Sequence, residues 1–332
     1  MGRSIGRTAA AVWLALLLSL PALAAEPESL IPVGRTVGLE LETDGVYIVG
    51  FGEENGSSPA QAAGLEIGDR IRAVNGVPLD SAERLRELTA DAGGAAVVLD
   101  VDRAGRAVQT AVQPVDRNGQ LLLGLRVRDR IAGLGTVTFY DPESGLFGAL
   151  GHGVSGGGGA PMAIRGGLAT QTCVTGIRRG EAGAPGSLLG KAAGGTALGQ
   201  VEQNTARGLF GHAAGEALEG QRVPLAAREE VATGPAEIWC SVDGGQVLRY
   251  DVEIEAVRLD PEQCRDLRIV VTDPRLLEQT GGIVQGMSGS PILQNGRLVG
   301  AVTHVLVRDP TRGYGILIGH MLEAADQAAK AA

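Results

Sequence analysis

The stretch that decides the fold is GMSGSP at residues 286–291. A nucleophilic serine needs its own backbone N–H and that of the residue two positions earlier directed at a developing oxyanion, and glycine at the earlier position permits that conformation. Gly286 and Ser288 fit this pattern, Gly289 is expected to leave room for a substrate carbonyl, and Pro291 can open a strand without donating a hydrogen bond. The motif predicts Ser288 as a nucleophile, with an oxyanion hole formed by the N–H groups of Gly286 and Ser288. The alternative is a Gly- and Ser-rich turn between strands.

A histidine between glycines is the second part of the pattern. His152 lies in the run GALGHG at 148–153 and precedes Ser288 by 136 residues. A histidine that follows an apolar strand in this way can stand at a domain cleft as a general base. The order His first and Ser last on a β-rich frame is that of the two-barrel serine proteases, and not that of subtilisin-like or α/β-hydrolase folds. The alternative for His152 is a loop histidine with a structural hydrogen bond.

The composition favours a β-rich chain of two domains. Its 332 residues suit two domains of roughly 100 to 200 residues each. Hydrophobic residues at 44% and charged residues at 20% argue against a largely disordered chain. The 52 glycines and 3% aromatic residues indicate many turns rather than long helices. A formal net charge of -9 without a basic stripe predicts no nucleic-acid partner.

Neither a cofactor nor a metal is expected. The sequence has no HExxH pair and no clustered carboxylate ligands, and the glycine run 156–159 lacks the flanking residues of a phosphate-binding loop. Cys173, Cys240 and Cys264 are too widely spaced for a CxxC metal site and allow at most one internal disulfide. We expect them to be buried small hydrophobic residues.

The N-terminal segment 1–25 predicts export. It contains Arg3 and Arg7, an apolar run at 9–20, and a small-residue cleavage site at 22–24. This is the pattern of a signal peptide, and the apolar run is short for a membrane-spanning helix, which needs about 20 residues. An uncleaved anchor that associates with the membrane through 9–20 is the alternative. Both place the folded part outside the cytoplasm.

Residues 35–115 are expected to form a first domain of α+β type. The apolar runs 37–41 and 45–51 have strand character, and 82–90 has the pattern of an amphipathic helix. Asn75-Gly76 and Ala104-Gly105 mark turns.

The residues between 58 and 76 resemble a bacterial PDZ domain. The resemblance is carried by Ser58-Pro59-Ala60, Ala63-Gly64-Leu65, Ile67-Gly68-Asp69, Ile71 and Asn75-Gly76. It implies capture of a chain end. The peptide pairs with the strand after Val37-Gly38-Leu39, whose N–H groups hold its carboxylate, and it packs against a helix that contains Leu85. The alternative is a PDZ domain that docks only on its own protease domain.

Residues 116–332 are expected to form a mainly β second domain. Residues 116–135 are interpreted as a linker, of which 121–125 could be the first strand of the second domain. Hairpins are predicted with turns at 141–145 and at Asn295-Gly296, and only the end, from about 318 to 330, has helical composition.

The stretch from 134 to 322 resembles the peptidase domain of the stage IV sporulation protein B family. The matching segments are 135–142, 148–152, 272–274, 281–291, 300–305, 309–310 and 313–315. The resemblance implies a chymotrypsin-like serine endopeptidase of two β-barrels, preceded by an export segment and a PDZ domain.

The same resemblance implies a catalytic triad. His152 is the general base, Ser288 the nucleophile, and Asp273 the acid that orients the histidine. Asp273 lies only 15 residues before Ser288, so an Asx-type turn is its alternative role, and Asp251 and Asp243 are the alternative acids.

Val302, Thr303 and His304 are expected to form the strand that lines the substrate cleft. His304 is also a rival general base. Met287 excludes activation through an ion pair beside the nucleophile, because its side chain carries no charge. His212 and His320 are assigned no functional role.

The family further implies a role in sporulation. The resemblance implies that the substrate is a membrane-bound regulator of an intramembrane protease and that the enzyme also cleaves its own N-terminal region. It further implies that the enzyme acts in the space between the mother-cell and forespore membranes. The alternatives are an envelope protease that degrades misfolded chains and a catalytically idle PDZ adaptor.

Overall fold

The structure is a computed structural model that describes residues 27–52, 58–156, 160–215 and 218–331. The predicted export segment 1–25 lies outside these residues. Among the described residues, no helix combines the length and the apolar character that a membrane crossing requires.

Strands dominate the described residues. The strands are β1 (Ser29–Pro32), β2 (Thr36–Phe51), β3 (Arg70–Val74), β4 (Val77–Pro78), β5 (Val97–Arg103), β6 (Arg106–Val112), β7 (Val115–Arg117), β8 (Gln120–Leu122), β9 (Leu125–Tyr140), β10 (Leu146–Ala149), β11 (Ile164–Arg178), β12 (Ser187–Thr205), β13 (Gly208–Ala213), β14 (Val223–Pro224), β15 (Gly234–Cys240), β16 (Leu248–Asp260), β17 (Arg265–Val271), β18 (Pro291–Gln294), β19 (Arg297–Val305) and β20 (Arg312–Leu317). The helices are α1 (Pro59–Ala62), α2 (Ala82–Asp91), α3 (Pro274–Thr280) and α4 (Ile318–Ala331), with a 3-10 turn at Pro261–Gln263.

The first barrel is a closed ring of six antiparallel strands. β9 pairs with β10, β10 with β13, β13 with β12, β12 with β11, β11 with β2, and β2 returns to β9. Its interior holds a cluster of buried apolar side chains that includes Leu41, Val137 and Leu209. The ring closes at β9, which pairs with β2 up to Thr136 and with β10 from Val137 onward.

The second barrel is also closed, in the order β15-β16-β17-β20-β19-β18. Alternate residues of β16 face inward, with Tyr250, Val252 and Ile254 all nearly inaccessible to solvent, as expected for a strand with one buried face. Met287, beside the predicted nucleophile, lies in the same core at 0% exposure. The two-barrel expectation is therefore confirmed by the strand pairing.

The PDZ domain is built into the first barrel rather than joined to its end. Between β2 and β9 the chain forms β3 to β8, α1 and α2 around a separate apolar core. The first half of β2 pairs with β11 in the barrel, from Thr43 back to Val37, and its second half pairs with β3 in the PDZ domain. The predicted start of the PDZ domain at residue 35 is therefore wrong as a structural boundary, because residues 36–43 complete the barrel.

The stretch interpreted as a linker is structured. Residues 115–122 form the β7–β8 hairpin, and β9 begins at Leu125 inside the PDZ domain and runs without interruption into the barrel. The predicted turns are confirmed: Asn75 and Gly76, and likewise Asn295 and Gly296, have the positive φ angles that tight hairpins require. The predicted C-terminal helix is α4.

Candidate active site

The Ser288 loop is held by two glycines with positive φ. Gly286 has φ +100° and Gly289 has φ +96°, a conformation that other residues rarely adopt. A Cβ atom on Gly289 would lie 2.0 Å from the carbonyl oxygen of Thr136 and 2.5 Å from the N–H of Leu150. Gly289 thus makes room for the backbone of the first barrel, and the expectation that it makes room for a substrate carbonyl is wrong.

Thr136 on β9 fixes this loop from the other barrel. Its Oγ1 donates a hydrogen bond to the Gly286 carbonyl (2.8 Å), and its N–H donates to the Ser288 carbonyl (2.9 Å). Among the described residues, no acceptor engages the N–H of Gly286 or of Ser288. Two unengaged N–H groups beside a serine are what an oxyanion hole requires.

His152 is positioned by a strained turn. Leu150 and Gly151 both have φ +69°, which is unusual for a buried leucine and typical of sites where local strain serves a function. The Nδ1 atom of His152 lies 3.0 Å from the Gly153 carbonyl oxygen. Because a carbonyl can only accept, this bond requires the proton on Nδ1 and leaves Nε2 free to accept one. Burial lowers the pKa of His152, so the ring is neutral near pH 7.

His304 is the neighbour of His152. The two ring centroids are 4.8 Å apart, and no described residue forms a hydrogen bond with the buried Nδ1 atom of His304. Burial, followed by the nearby His152 and Arg265, lowers the pKa of His304 to about 4. Both imidazoles are therefore neutral together, as two adjacent bases in a poorly solvated cleft must be.

Ser288, His152 and His304 line one cavity of about 630 Å³ between the two barrels. Ser288 Oγ donates to the Thr303 carbonyl (2.8 Å) rather than to His152. Thr303 and His304, from the segment predicted to bind substrate, line the cavity. Val302 does not line the cavity, because it is fully buried and its N–H donates to the backbone carbonyl of Ser290; Val305 lies at the cavity wall instead.

The structure does not bring Asp273 to His152. Asp273 caps the N-terminus of α3, and its carboxylate accepts hydrogen bonds from the backbone N–H of Arg275 (2.8 Å), the Arg275 guanidinium (2.7 Å) and the N–H of Asp251 (3.3 Å). Hydrogen bonds from Arg275 lower the pKa of Asp273 to about 2. Within the described part of the chain, the Gly153 carbonyl is the hydrogen-bond partner of the His152 ring, while Asp273 is bonded to Arg275. Neither Asp273 nor its alternatives Asp251 and Asp243 orients His152 in this structure, and Asp273 as the third member of the triad stays a prediction.

The predicted PDZ ligand loop is also in a different place. Val37, Gly38 and Leu39 pair with β9 on one side and with β11 on the other, so they offer no free edge to a peptide. Leu39 instead lines the catalytic cavity. Leu85 of α2 lies, as expected, beside a groove, a cavity of about 480 Å³ whose other wall is formed by residues 121–127.

Sequence reasoning missed Thr136 and Asn204. The side chain of Asn204 on β12 binds the backbone of Val154 in both directions (2.9 and 2.8 Å) and the Met162 carbonyl (2.8 Å), and so holds the loop that follows His152. Thr136 lies in the family-like segment 135–142 without an assigned role, and Asn204 lies in no motif. Neither role can be read from the sequence, because each residue bonds to a segment distant in the chain.

In the described parts of the chain, the cysteines and the side chains that could bind a metal form no further site. Cys240 and Cys264 are buried as expected, but Cys173 is exposed, and all three are free thiols. Among the described residues, no group of three His, Cys, Asp or Glu side chains is placed to hold a metal ion.

The two barrels, the cleft and the inserted domain define a chymotrypsin-like serine peptidase with a PDZ domain. The chain belongs to the SpoIVB peptidase S55 family, whose model matches residues 119–322, and a PDZ domain model matches 57–103.

The chain also resembles individual known proteins, over shorter segments or at lower sequence identity. The chain is 46% identical to the zinc metalloprotease RasP of Shouchella clausii over 54 residues. This segment is 16% of the present chain and 13% of RasP, so the match spans about an eighth of that relative. Among solved structures, it is similar to the PDZ domain of the SdrC-like protein from Listeria monocytogenes (21% identity, 26% of this chain and 90% of that chain, TM-score 0.23). It is also similar to the inactive form of the Rv3671c protease (16% identity, 59% of this chain and 84% of that chain, TM-score 0.35). The active form of the Rv3671c protease from M. tuberculosis is similar as well (17% identity, 60% of this chain and 74% of that chain, TM-score 0.33).

Proposed function

We propose that this serine peptidase cleaves protein substrates by acyl transfer from Ser288, with His152 as general base. The observation that carries this proposal is the shared cavity, where Ser288 Oγ, His152 and the unengaged N–H groups of Gly286 and Ser288 meet. Nucleophile, base and oxyanion donors are the three groups that such a reaction needs.

The first step is a rotation of the nucleophile. Ser288 Oγ leaves the Thr303 carbonyl and approaches Nε2 of His152, which accepts its proton as Oγ attacks the substrate carbonyl carbon. The Gly153 carbonyl holds the proton on Nδ1 and stabilises the imidazolium that forms. The imidazolium then protonates the leaving amine, and water hydrolyses the acyl-enzyme by the reverse sequence.

The released Thr303 carbonyl is then available to the substrate backbone. Thr303, His304 and Val305 lie at the end of β19 and line the cavity wall, so an extended substrate can pair with this segment. The remaining walls are mainly apolar and come from both barrels: Leu39, Leu41, Leu134, Leu188, Val284 and Val307. This lining supports large apolar side chains next to the cleaved bond.

The biological role we propose follows the family. The enzyme is exported by its N-terminal segment 1–25, or held at the membrane by 9–20, and acts between the mother-cell and forespore membranes on a membrane-bound regulator of an intramembrane protease. It also cleaves its own N-terminal region. Family membership and the signal-like segment support this role, and N-terminal sequencing of the protein from sporulating cells tests the processing.

Covalent labelling with a fluorophosphonate tests the chemistry. The wild-type protein should label and should cleave an unfolded test protein, Ser288→Ala should do neither, and His152→Ala should slow both by roughly 10^4-fold or more. Ser290→Ala is the matched control, because the Ser290 hydroxyl lies two residues from the nucleophile but is buried and does not line the cavity. An unlabelled wild-type protein that binds peptides would instead indicate an idle adaptor.

A further inference from the structure

One strand connects the PDZ domain with the catalytic cavity. From Leu125 to Gly135, β9 pairs with β2 along one edge. On the other edge its pairing with β10 begins only at Val137. About ten residues of β9 therefore present an edge that no described strand occupies, and such an edge is a template for an added strand.

The PDZ end of this edge is a groove. Residues 121–127 form one wall, and Ala82, Leu85, Arg86 and Thr89 of α2 form the other. Gly124, with φ +70°, makes the turn that leads into β9, and a Cβ atom there would collide with Ser58 and Pro59 at 2.8 Å. A strand edge beside a helix, entered through a backbone turn, is the arrangement that takes an extended peptide with its carboxylate at the turn.

The other end of the same edge reaches the active site. Residues 131–134 of β9 line the catalytic cavity together with His152 and Ser288. A peptide with its C-terminus at the Gly124 turn runs antiparallel to β9, and its upstream residues therefore point toward this cavity.

We propose that the groove and the open edge of β9 act as a ruler that places the scissile bond about ten residues before the C-terminus of a substrate. The distance from Leu125 to Leu134 is nine residue steps, or about 31 Å at roughly 3.4 Å per residue. An antiparallel partner matches these steps one for one. The proposal rests on the proposed peptidase function and adds the class of substrate: a protein whose extended C-terminal tail is removed.

The side chains of β9 define the tail further. Arg126, Arg128 and Arg130 are exposed on one face, while Leu125 and Val127 lie partly buried on the other. Arg130 lies 3.5 Å from Glu42, and within the described part of the chain Arg126 and Arg128 have no acidic partner. Cross-strand neighbours of opposite charge stabilise a strand pair, so the tail alternates acidic and apolar residues.

One contact marks the point where the groove ends. The N–H of Ala82, at the start of α2, donates to the carboxylate of Asp129 on β9 (2.8 Å). A bound tail passes this bond as it leaves the helix, and from there on it lies on the open edge alone.

A peptide series tests the ruler. All peptides share one apolar cleavage sequence, followed by an alternating acidic and apolar tail of about six to fourteen residues, with either a free or an amidated C-terminus. The value of kcat/KM should peak near a tail of ten residues, and amidation should lower that peak by about tenfold through loss of the tethering advantage. Arg86→Glu, in the groove wall, should flatten the dependence on tail length, and Arg128→Glu should reverse the preference for acidic over lysine-containing tails.

Arg106→Glu is the matched control, because Arg106 is an exposed arginine of the same domain on the β5–β6 hairpin. It should leave the length profile unchanged. If Ser288 labels and the peptides are cleaved at rates independent of tail length, the ruler is wrong and the peptidase function stands. If neither labelling nor cleavage occurs, both proposals fail.

Discussion

Replacing Thr136 by valine should weaken both the fold and the catalysis, whereas the same change at Thr138 should do neither. Both threonines are fully buried on β9. The Thr136 hydroxyl donates to the Gly286 carbonyl at 2.8 Å, while the Thr138 hydroxyl has no hydrogen-bond partner in the part of the chain that the structure describes. Valine keeps the shape of threonine, so the pair of variants isolates the hydrogen bond.

The size of both effects follows from the Gly286 carbonyl, which keeps its buried position but loses its hydrogen-bond donor. In Thr136→Val the buried Gly286 carbonyl loses its donor, which costs about 1–3 kcal/mol of folding free energy. The N–H of Gly286 is one of the two oxyanion donors, and loss of a complete donor lowers kcat by about 10^2- to 10^3-fold. Because the N–H is misplaced rather than removed, kcat should fall by about 10- to 100-fold with little change in KM. Thr138→Val should be neutral or stabilising by up to about 1 kcal/mol.

Urea denaturation measures the change in folding free energy. Steady-state cleavage of one peptide, normalised to the fraction of sites that a fluorophosphonate labels, measures the change in kcat. Equal losses in the two variants would mean that the bond to Gly286 has no special role. A Thr136→Val protein with the wild-type kcat would refute the link between this bond and the oxyanion hole.

The remaining predictions concern the acid, the histidines and the domain junction. Asp273→Ala should lower the free energy of unfolding by about 2 kcal/mol through loss of the α3 cap, with kcat per folded molecule nearly unchanged; a fully folded variant with a loss of kcat above about 10^3-fold would return Asp273 to the catalytic machinery. Protonated His152 cannot accept the serine proton, and burial lowers the pKa of His152 below 6.5. The value of kcat/KM should therefore be constant near pH 7 and fall only at a pH below 6.5. A midpoint above pH 6.5 would show that burial does not lower this pKa. The unfolded chain takes up a proton on His304 near pH 6.5 and the folded chain only near 4, so thermal stability should fall as pH drops through this window, and His304→Phe should remove that part of the slope. Deleting residues 27–117 should abolish folding, because it removes β2 from the first barrel; cleavage by the shortened chain, together with a cooperative melting curve, would show that the barrel closes without it.

The local parts of the site follow from the sequence because they depend on local backbone chemistry. Glycine at 286 and 289 and the Asn-Gly turn at 295–296 can be inferred without a structure, since positive φ angles select these residue types. The same holds for His152 between glycines and for the order of His152 and Ser288, which together predicted a two-barrel serine peptidase.

Only the tertiary structure decided which partners these segments meet. The apolar runs 37–41 and 45–51 look like two strands of one domain, yet they form the single strand β2 shared by barrel and PDZ domain. The family resemblance implies Asp273 as the triad acid, but in the structure its carboxylate is bonded to the guanidinium of Arg275, two residues away. One physical reason explains β2 and Asp273 alike, because strand pairing and burial depend on segments that lie far apart in the chain. The alternation of residues in the sequence determines which face of a strand is apolar, but not which neighbouring segment covers that face.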